Sequence, residues 1–532
     1  LLDISSMCQV TVEQFYGIEI EPHAAHIARV ALWITDHQLN QATAELFGTT
    51  RPTTPIVYSP HITEGNALQI DWEDVLAANT CDFVMGNPPF IGCNNQSEEQ
   101  NKDIVYVANE VKGHKSLDYV AGWYIKAMRY MQSVTKQNHH IETAFVSTNS
   151  IVQGGQVAIL WQYLLGDCGG HINFAHHTFK WTNEGKGVAA VHCVIIGYST
   201  NERKEKTIFS YDDIAGEPKP NKAKMINGYL IDGQLVFFDK SKKQISNEVL
   251  MGFGSMANDG GHLLLSDEEY LEIVTTEPLS KNYIRPLLGS REFLNSIKRW
   301  CLWFVDCNLQ NLNNDLKLMP LVNKRLTAVK DNREESKRAS TKNLAATPHL
   351  FGEIRQPKKG DYLLIPRVSS ESRKYLPIGF LDSDVICSDA AFSLPNANLY
   401  HLGILSSSMH NAFMRLVAGR LKSDYRYSNS IVYNNFMFPF NAKDEDNKTV
   451  KSKEVIGSAA QAVLDARKHY QDDSENAPTL AKLYNTYMID PYPELTKAHI
   501  ALDKAVDKAY GYKGKGDDAS RVEFLLKRIA EV

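Results

Sequence analysis

Two adjacent prolines, Pro88-Pro89, follow the apolar run Phe83-Val84-Met85 almost at once and leave the chain few choices there. Each ring fixes φ and removes an N–H donor, so neither a helix nor a paired strand runs through the pair. The apolar run therefore reads as a buried strand emptying into a loop at its C-terminal end. In an open parallel sheet that is the edge where ligands bind. With two donors deleted, the loop carbonyls are free to accept hydrogen bonds, and Asn87 sets a side-chain oxygen beside them. Phe90 offers a flat face for a planar base. Two acceptors on one NH2 group, over a stacked ring, describe an adenine or cytosine held for attack through its exocyclic nitrogen. An ordinary Pro-Pro turn after a strand accounts for the same four residues, so the neighbours have to decide.

Those neighbours alternate. Gln14 to Ile20 reads as a buried strand ending on the acid Glu19, and Pro22 opens a helix with Ala24, Ile27, Ala28, Ala31, Leu32 and Trp33 on one face. A carboxylate at the tip of a strand–turn–helix unit suits the ribose hydroxyls of a nucleotide-like cofactor. Favourable placement near a helix dipole is the plainer account of Glu19. Ile62-Thr63-Glu64-Gly65-Asn66-Ala67-Leu68 predicts a second strand with a polar tip. Ser116 is expected to cap a helix carrying Leu117, Val120, Ala121, Tyr124, Met128 and Met131. Strands are expected over 143–149, 172–179 and 189–199, the last two paired. Alternating strands and helices closed by a strand pair predict an α/β fold with a doubly wound sheet over residues 1–200.

Taken in order, Gly17-Ile18-Glu19-Ile20, Gly65-Asn66-Ala67-Leu68, Asn87-Pro88-Pro89-Phe90, the helix over 117–127 and the strands over 143–149 and 189–199 resemble the motifs of class I AdoMet-dependent DNA amino-methyltransferases. The order is similar to their adenine-N6 γ type, in which target recognition follows catalysis. The resemblance implies a Rossmann-like methyltransferase sheet, S-adenosyl-L-methionine as cofactor and duplex DNA as partner. It implies that Glu19 and Ile20 lie at the cofactor ribose, that Asn66 and Ala67 lie by its adenine, and that Asn87, Pro88, Pro89 and Phe90 hold a flipped base. Phe179 and Trp181 both match where the family presents a second stacking face. The family's P-x-x-G-x-G loop, which belongs on the strand before Gln14, does not occur in this sequence. Its strand would lie between those of Glu19 and Asn87, so the sheet is expected to be incomplete at the N-terminal side. The start at Leu1-Leu2-Asp3, without Met, fits an incomplete polypeptide.

Charge separates the rest of the chain from this part. Residues 1–200 hold 10 Lys/Arg against 19 Asp/Glu, whereas residues 319–375 hold 13 against 6. A basic stretch inside an acidic protein points to a polyanion partner. Residues 201–265 read as a connecting segment and 266–441 as an α+β reader. In the reader Lys324, Arg325, Lys337, Arg338, Arg367, Ser369, Ser370, Arg373, Lys374, Arg420 and Arg426 are candidate contacts to phosphates and base edges. Surface hairpins of an α+β domain would look alike. Residues 442–532 are expected to be a helical segment, its last helix opened by a Ser520-x-x-Glu523 capping box. These later stretches resemble the target-recognition and C-terminal parts of MmeI-like single-chain restriction–modification proteins, where an endonuclease precedes the methyltransferase.

The totals exclude other classes. No apolar run approaches the roughly 20 residues of a membrane span, and the start does not resemble a signal peptide. The eight cysteines contain no C-x-x-C pair and read as reduced thiols of a cytoplasmic protein, with no metal site. Two other functions stay open: an Asn-Pro-Pro enzyme that methylates protein glutamine or RNA, and a DNA-binding specificity module whose catalytic part is inert.

Overall fold

Strand β1 (Tyr16–Glu19) feeds helix α1 (Pro22–Phe47), and strand β2 (His61–Glu64) returns parallel to β1, Tyr16 opposite His61 and Glu19 opposite Glu64. Pro22 suits the first turn of α1 because its missing N–H has no helical acceptor there, and Gly48 closes the helix in the left-handed region at φ 71°. The computed structural model describes residues 9–48, 59–137, 139–181, 191–240, 243–246, 248–421, 423–441, 444, 446–472, 477–485 and 491–531. It divides into two units, Leu1–Phe237 and Phe238–Val532.

The first unit continues with β3 (Phe83–Gly86), α2 (Glu98–Ala108), α3 (Ala121–Thr135), β4 (Glu142–Thr148), α4 (Gly155–Trp161), β5 (His171–Trp181), β6 (Val191–Ser199), β7 (Lys206–Ser210) and β8 (Lys219–Ala223). Strands β3 to β8 form one sheet in the order β3-β4-β6-β5-β7-β8. The β3–β4 pair is parallel, and the expected β5–β6 pair is antiparallel. The α/β class predicted from the alternation is the one observed. Its core centres on Tyr124 of α3, whose ring stacks on Tyr198 at 5.3 Å and meets Phe145 and Trp161 edge-on at 5.1 and 5.6 Å. All four are buried, and the Tyr124 hydroxyl shares a hydrogen bond with Ser147 at 2.9 Å, so no polar atom is stranded among the rings.

Two features of this unit bear on the site. Strand β3 pairs only with β4, and β1–β2 form a separate two-stranded sheet, so among the described residues β3 has one free edge. Phe83 and Met85 on it are 68% and 78% exposed. Helix α3 begins at Ala121 and not near Leu117. Leu117 is extended, the Tyr119 N–H donates to the Ile91 carbonyl at 2.9 Å, and Ser116 ends a short turn, so loop contacts hold these residues out of the helix.

The second unit opens with β9 (Gly252–Phe253), β10 (Leu264–Leu265), α5 (Asp267–Thr276), β11 (Ile284–Leu288), β12 (Trp300–Leu302) and α6 (Pro320–Glu334). There follow β13 (Tyr362–Pro366), β14 (Val368–Ser369), β15 (Gly379–Leu381), β16 (Ile386–Cys387), β17 (Ala391–Pro395), α7 (Leu399–Ser406), α8 (Ser408–Val417), β18 (Gly419–Leu421) and β19 (Asp424–Arg426). The last helices are α9 (Asn447–Gln471), α10 (Pro493–Tyr510) and α11 (Asp518–Ala530). The strands make three small sheets, β10-β12-β11-β16, β15-β13-β17-β9 and β14-β19-β18. Residues 201–265 do not form one connector: β7 and β8 extend the first unit's sheet, while β9 and β10 pair within the second. Helix α11 is capped by Asp517, whose carboxylate accepts the Ser520 N–H at 2.8 Å. Ser520 therefore lies inside the first turn, because a charged acceptor three residues earlier is the stronger cap.

Candidate functional site

At the end of β3 the chain turns through Asn87-Pro88-Pro89-Phe90. Pro88 is buried and pins the corner, Asn87 and Pro89 are exposed, and Phe90 is half-buried. Among the described residues none donates to the Asn87 side chain or to the Pro88 carbonyl, and no other ring contacts Phe90. Two oxygens without a donor and a ring without a ring partner, among the described residues, thus fall within four residues at the C-terminal end of β3.

The corner is held from below. Asp118, only 8% exposed, accepts the Cys93 N–H at 3.0 Å, the Gln156 amide at 3.0 Å and the Ser150 hydroxyl at 2.5 Å. Gln96 donates to the Leu117 carbonyl at 2.9 Å. Ser97 then caps α2, accepting the Gln100 N–H at 3.2 Å while Gln100 accepts the Ser97 N–H at 2.9 Å. Helix α2 in turn delivers Asp103, 4% exposed, which accepts from Asn66 at 2.9 Å, Gln69 at 2.7 Å and the Tyr119 hydroxyl at 2.7 Å.

At the tips of the two-stranded sheet, the Glu19 carbonyl accepts the Gly65 N–H at 2.9 Å, which brings the ends of β1 and β2 together. The Glu19 carboxylate accepts the Glu21 N–H through one oxygen at 3.1 Å, leaving the second at the strand tip, and Ile20 beside it is 62% exposed. Asn66 is held within the fold. Its NH2 donates to Asp103 and its oxygen accepts the Leu68 N–H at 2.9 Å, so the amide shapes its own loop and keeps one N–H and one lone pair beyond those two bonds. Ala67 is half-buried in that loop, and Lys126 of α3 braces it by donating to the Leu68 carbonyl at 2.9 Å. Phe179 is half-buried and stacks on Tyr211 at 5.6 Å, a packing contact. The Trp181 side chain lies outside the described residues.

The reader candidates separate into structural and solvent-facing cations. Arg325 donates to the His262 and Leu264 carbonyls at 2.8 and 2.7 Å and to Glu269 at 3.0 Å, so its guanidinium is committed within the fold. Ser369 is buried in β14 at 4% exposure. Arg420 is tied to Glu371, the Ser423 carbonyl and the Tyr425 hydroxyl, and Ser370 to Ser372. Arg373 is half-buried. By contrast Lys324, Lys337, Arg338, Lys374 and Arg426 are exposed. Arg367 packs over the Phe253 ring at 4.9 Å and donates to the Asp389 carbonyl at 2.6 Å; burial first, and then the nearby Arg426 charge, lower its pKa, against the pull of Asp389.

Sequence reasoning missed Asp103, Asp118 and Arg333. Arg333 in α6 is fully buried, and its five N–H groups donate to the carbonyls of Asn258, Leu344, Thr347, Ala257 and Leu350 at 2.8 to 3.0 Å. A signal existed for it: Val322, Leu326, Val329 and Arg333 follow helical spacing, so the arginine continues the apolar stripe.

Comparison with known proteins agrees with this layout. Family models described as MmeI, DNA-methyltransferase domain, MmeI, target recognition domain, and MmeI, C-terminal domain match residues 2–210, 232–440 and 448–532. A curated relative, DNA methyltransferase A of Bacillus subtilis (strain 168), is 36% identical over 526 residues; these cover 98% of this chain but 56% of the relative. The chain thus spans little more than half the length of that relative. A solved structure of the Type IIL restriction-modification enzyme MmeI in complex with DNA is 45% identical with a TM-score of 0.85, and the match covers 100% of this chain and 68% of that one.

Proposed function

Since the chain belongs to the MmeI family, we propose that it is the methyltransferase and DNA-reading part of a restriction–modification protein of the cytoplasm, transferring a methyl group from AdoMet to the N6 of a flipped adenine in duplex DNA. The observation that carries this reading is the corner of Asn87 Oδ1 and the Pro88 carbonyl, two acceptors without a partner among the described residues. An exocyclic amine is a poor nucleophile because its lone pair is delocalised into the ring. Accepting both of its N–H bonds favours a tetrahedral nitrogen and stabilises the positive charge that develops there. Flipping costs a few kcal/mol, which stacking on Phe90 partly offsets.

The residues present fit the adenosine half of AdoMet. The second Glu19 oxygen is available to ribose hydroxyls, Ile20 offers an apolar face and the Asp103-braced loop at Asn66–Ala67 offers shape. When bound, the cofactor supplies an electrophilic methyl on a sulfonium. The chain's part is to hold the amine in line with it, where orientation can supply about 7–11 kcal/mol of barrier lowering.

The test is transfer of tritium from labelled AdoMet to duplex DNA by the full chain, with the label recovered as N6-methyladenine. Label recovered in protein, in RNA or on cytosine rejects the proposal. One observation favours a second reading, a specificity module with an inert catalytic part: β1–β2 and the β3-edged sheet are not joined by a strand among the described residues. Calorimetry with AdoMet separates the two, since the enzyme reading requires heat of binding and the module reading requires none alongside retained duplex affinity.

For the reader, charge reversal at the exposed Lys324, Lys337 and Arg338 is expected to weaken duplex binding and flatten its dependence on log salt by about 0.9 for each phosphate no longer neutralised. Reversal at Arg325 instead should lower stability. An unchanged slope in the triple variant removes these three cations from the interface.

A further inference from the structure

Asp103 and Asp118 stand apart from the other acids of the first unit. Both are buried, and among the described residues neither forms an ion pair with Lys, Arg or His. A buried carboxylate without a cation is stable only when hydrogen-bond donors converge on it. Here the donors come from far along the chain. Asp103 gathers Asn66, Gln69 and the Tyr119 hydroxyl. Asp118 gathers the Cys93 N–H, Ser150 and the Gln156 amide. The first set fixes the loop after β2, and the second fixes the loop after β3 together with the segment after β4.

The two sets meet in one dipeptide. Tyr119 follows Asp118 directly; its hydroxyl reaches Asp103 at 2.7 Å and its N–H reaches the Ile91 carbonyl at 2.9 Å. Burial, and then the Asp103 carboxylate, hold the Tyr119 hydroxyl well above its ordinary range, so it remains a donor.

We propose that Asp103 and Asp118 are positioning residues of the methyl transfer: Asp103 sets the loop on the cofactor side, Asp118 sets the corner that takes the base, and Asp118-Tyr119 fixes one relative to the other. This rests on the methyltransferase reading. Neither acid touches the reacting atoms; each acts through the loop it holds. Because the sets are separate, their removal has separate effects. A purely structural role would lower stability and spread the loss evenly over both constants.

The experiment uses the full chain and measures AdoMet Kd, kcat at saturating AdoMet and duplex, and hydrogen exchange by peptide. Asp103→Asn is expected to raise the AdoMet Kd about tenfold, with kcat little changed and exchange faster over residues 66–70. Asp118→Asn is expected to leave the AdoMet Kd nearly unchanged and to lower kcat about 100-fold, with exchange faster over residues 91–95. Adding Gln69→Glu to Asp103→Asn supplies an acceptor for the new amide and should return the Kd toward that of the unsubstituted chain. Equal changes in both constants for both variants, no rescue by Gln69→Glu, or unchanged exchange overturns the proposal. If the unsubstituted chain binds AdoMet and methylates DNA while the variants match it, positioning fails and the function stands. If it transfers no methyl group at all, the function fails and the positioning role with it.

Discussion

Replacing Asn87 by alanine is expected to lower kcat for methylation by a factor of about 10²–10³ or more, the cost of deleting one preorganised group that meets charge developing in a transition state. Duplex affinity should stay within a few-fold, because the exposed cations of the reader are untouched. Stability should also hold to within about 0.5 kcal/mol, as expected for an exposed side chain away from structural contacts. This pattern separates the acceptor role from an ordinary turn. A turn residue would register in the denaturation midpoint, whereas an acceptor registers only in turnover. Equal losses of turnover and of duplex affinity contradict the assignment.

The largest effect on stability is expected at Arg333. Its five donors satisfy five carbonyls from two separate segments, Ala257–Asn258 and the turn region 344–350. Arg333→Met retains much of the volume and removes every donor. The carbonyls of Ala257, Leu344 and Thr347 keep a backbone N–H, whereas among the described residues those of Asn258 and Leu350 lose their one donor; at about 1–3 kcal/mol for each buried carbonyl left unpaired, the loss should reach about 2–5 kcal/mol. That is a large part of the roughly 5–15 kcal/mol holding a domain folded. Arg333→Lys should be nearly as damaging, since three donors on one nitrogen cannot reproduce a planar fork of five. Hydrogen exchange over residues 257–350 during urea unfolding checks this. A midpoint within experimental error of the unsubstituted chain for either variant would show that those carbonyls find other partners.

What can be read from the chain alone follows from how local each cause is. The Asn87–Phe90 corner is legible because proline acts on its own backbone whatever surrounds it. The helix after Pro22 and the β5–β6 pair are legible from apolar spacing. The start of α3 is not, since Ser116 reads as a good cap, whereas the helix opens at Ala121 with no side-chain cap and the distant Ile91 carbonyl and Cys93 N–H hold the residues before it. Asp103 and Asp118 look like surface acids in a sequence. Their burial depends on donors 16 to 38 residues away in the chain. Arg325 and Arg333 show the opposite error: a basic run reads as charge alone, although Arg333 falls on the stripe of Val322, Leu326 and Val329. Net charge sets the partner of a segment, but the helical period decides which of its cations can reach that partner.

Among the described residues strand β3 is secured along β4 only, and its last residue leads straight into Asn87. A ribbon fastened on one margin can twist about that margin, so the direction in which the Asn87 side chain points is set partly by whatever lies along the other. Phe83 and Met85 on that strand are open to water. The Asn87–Phe90 corner therefore inherits whatever constraint lies along that second margin of β3.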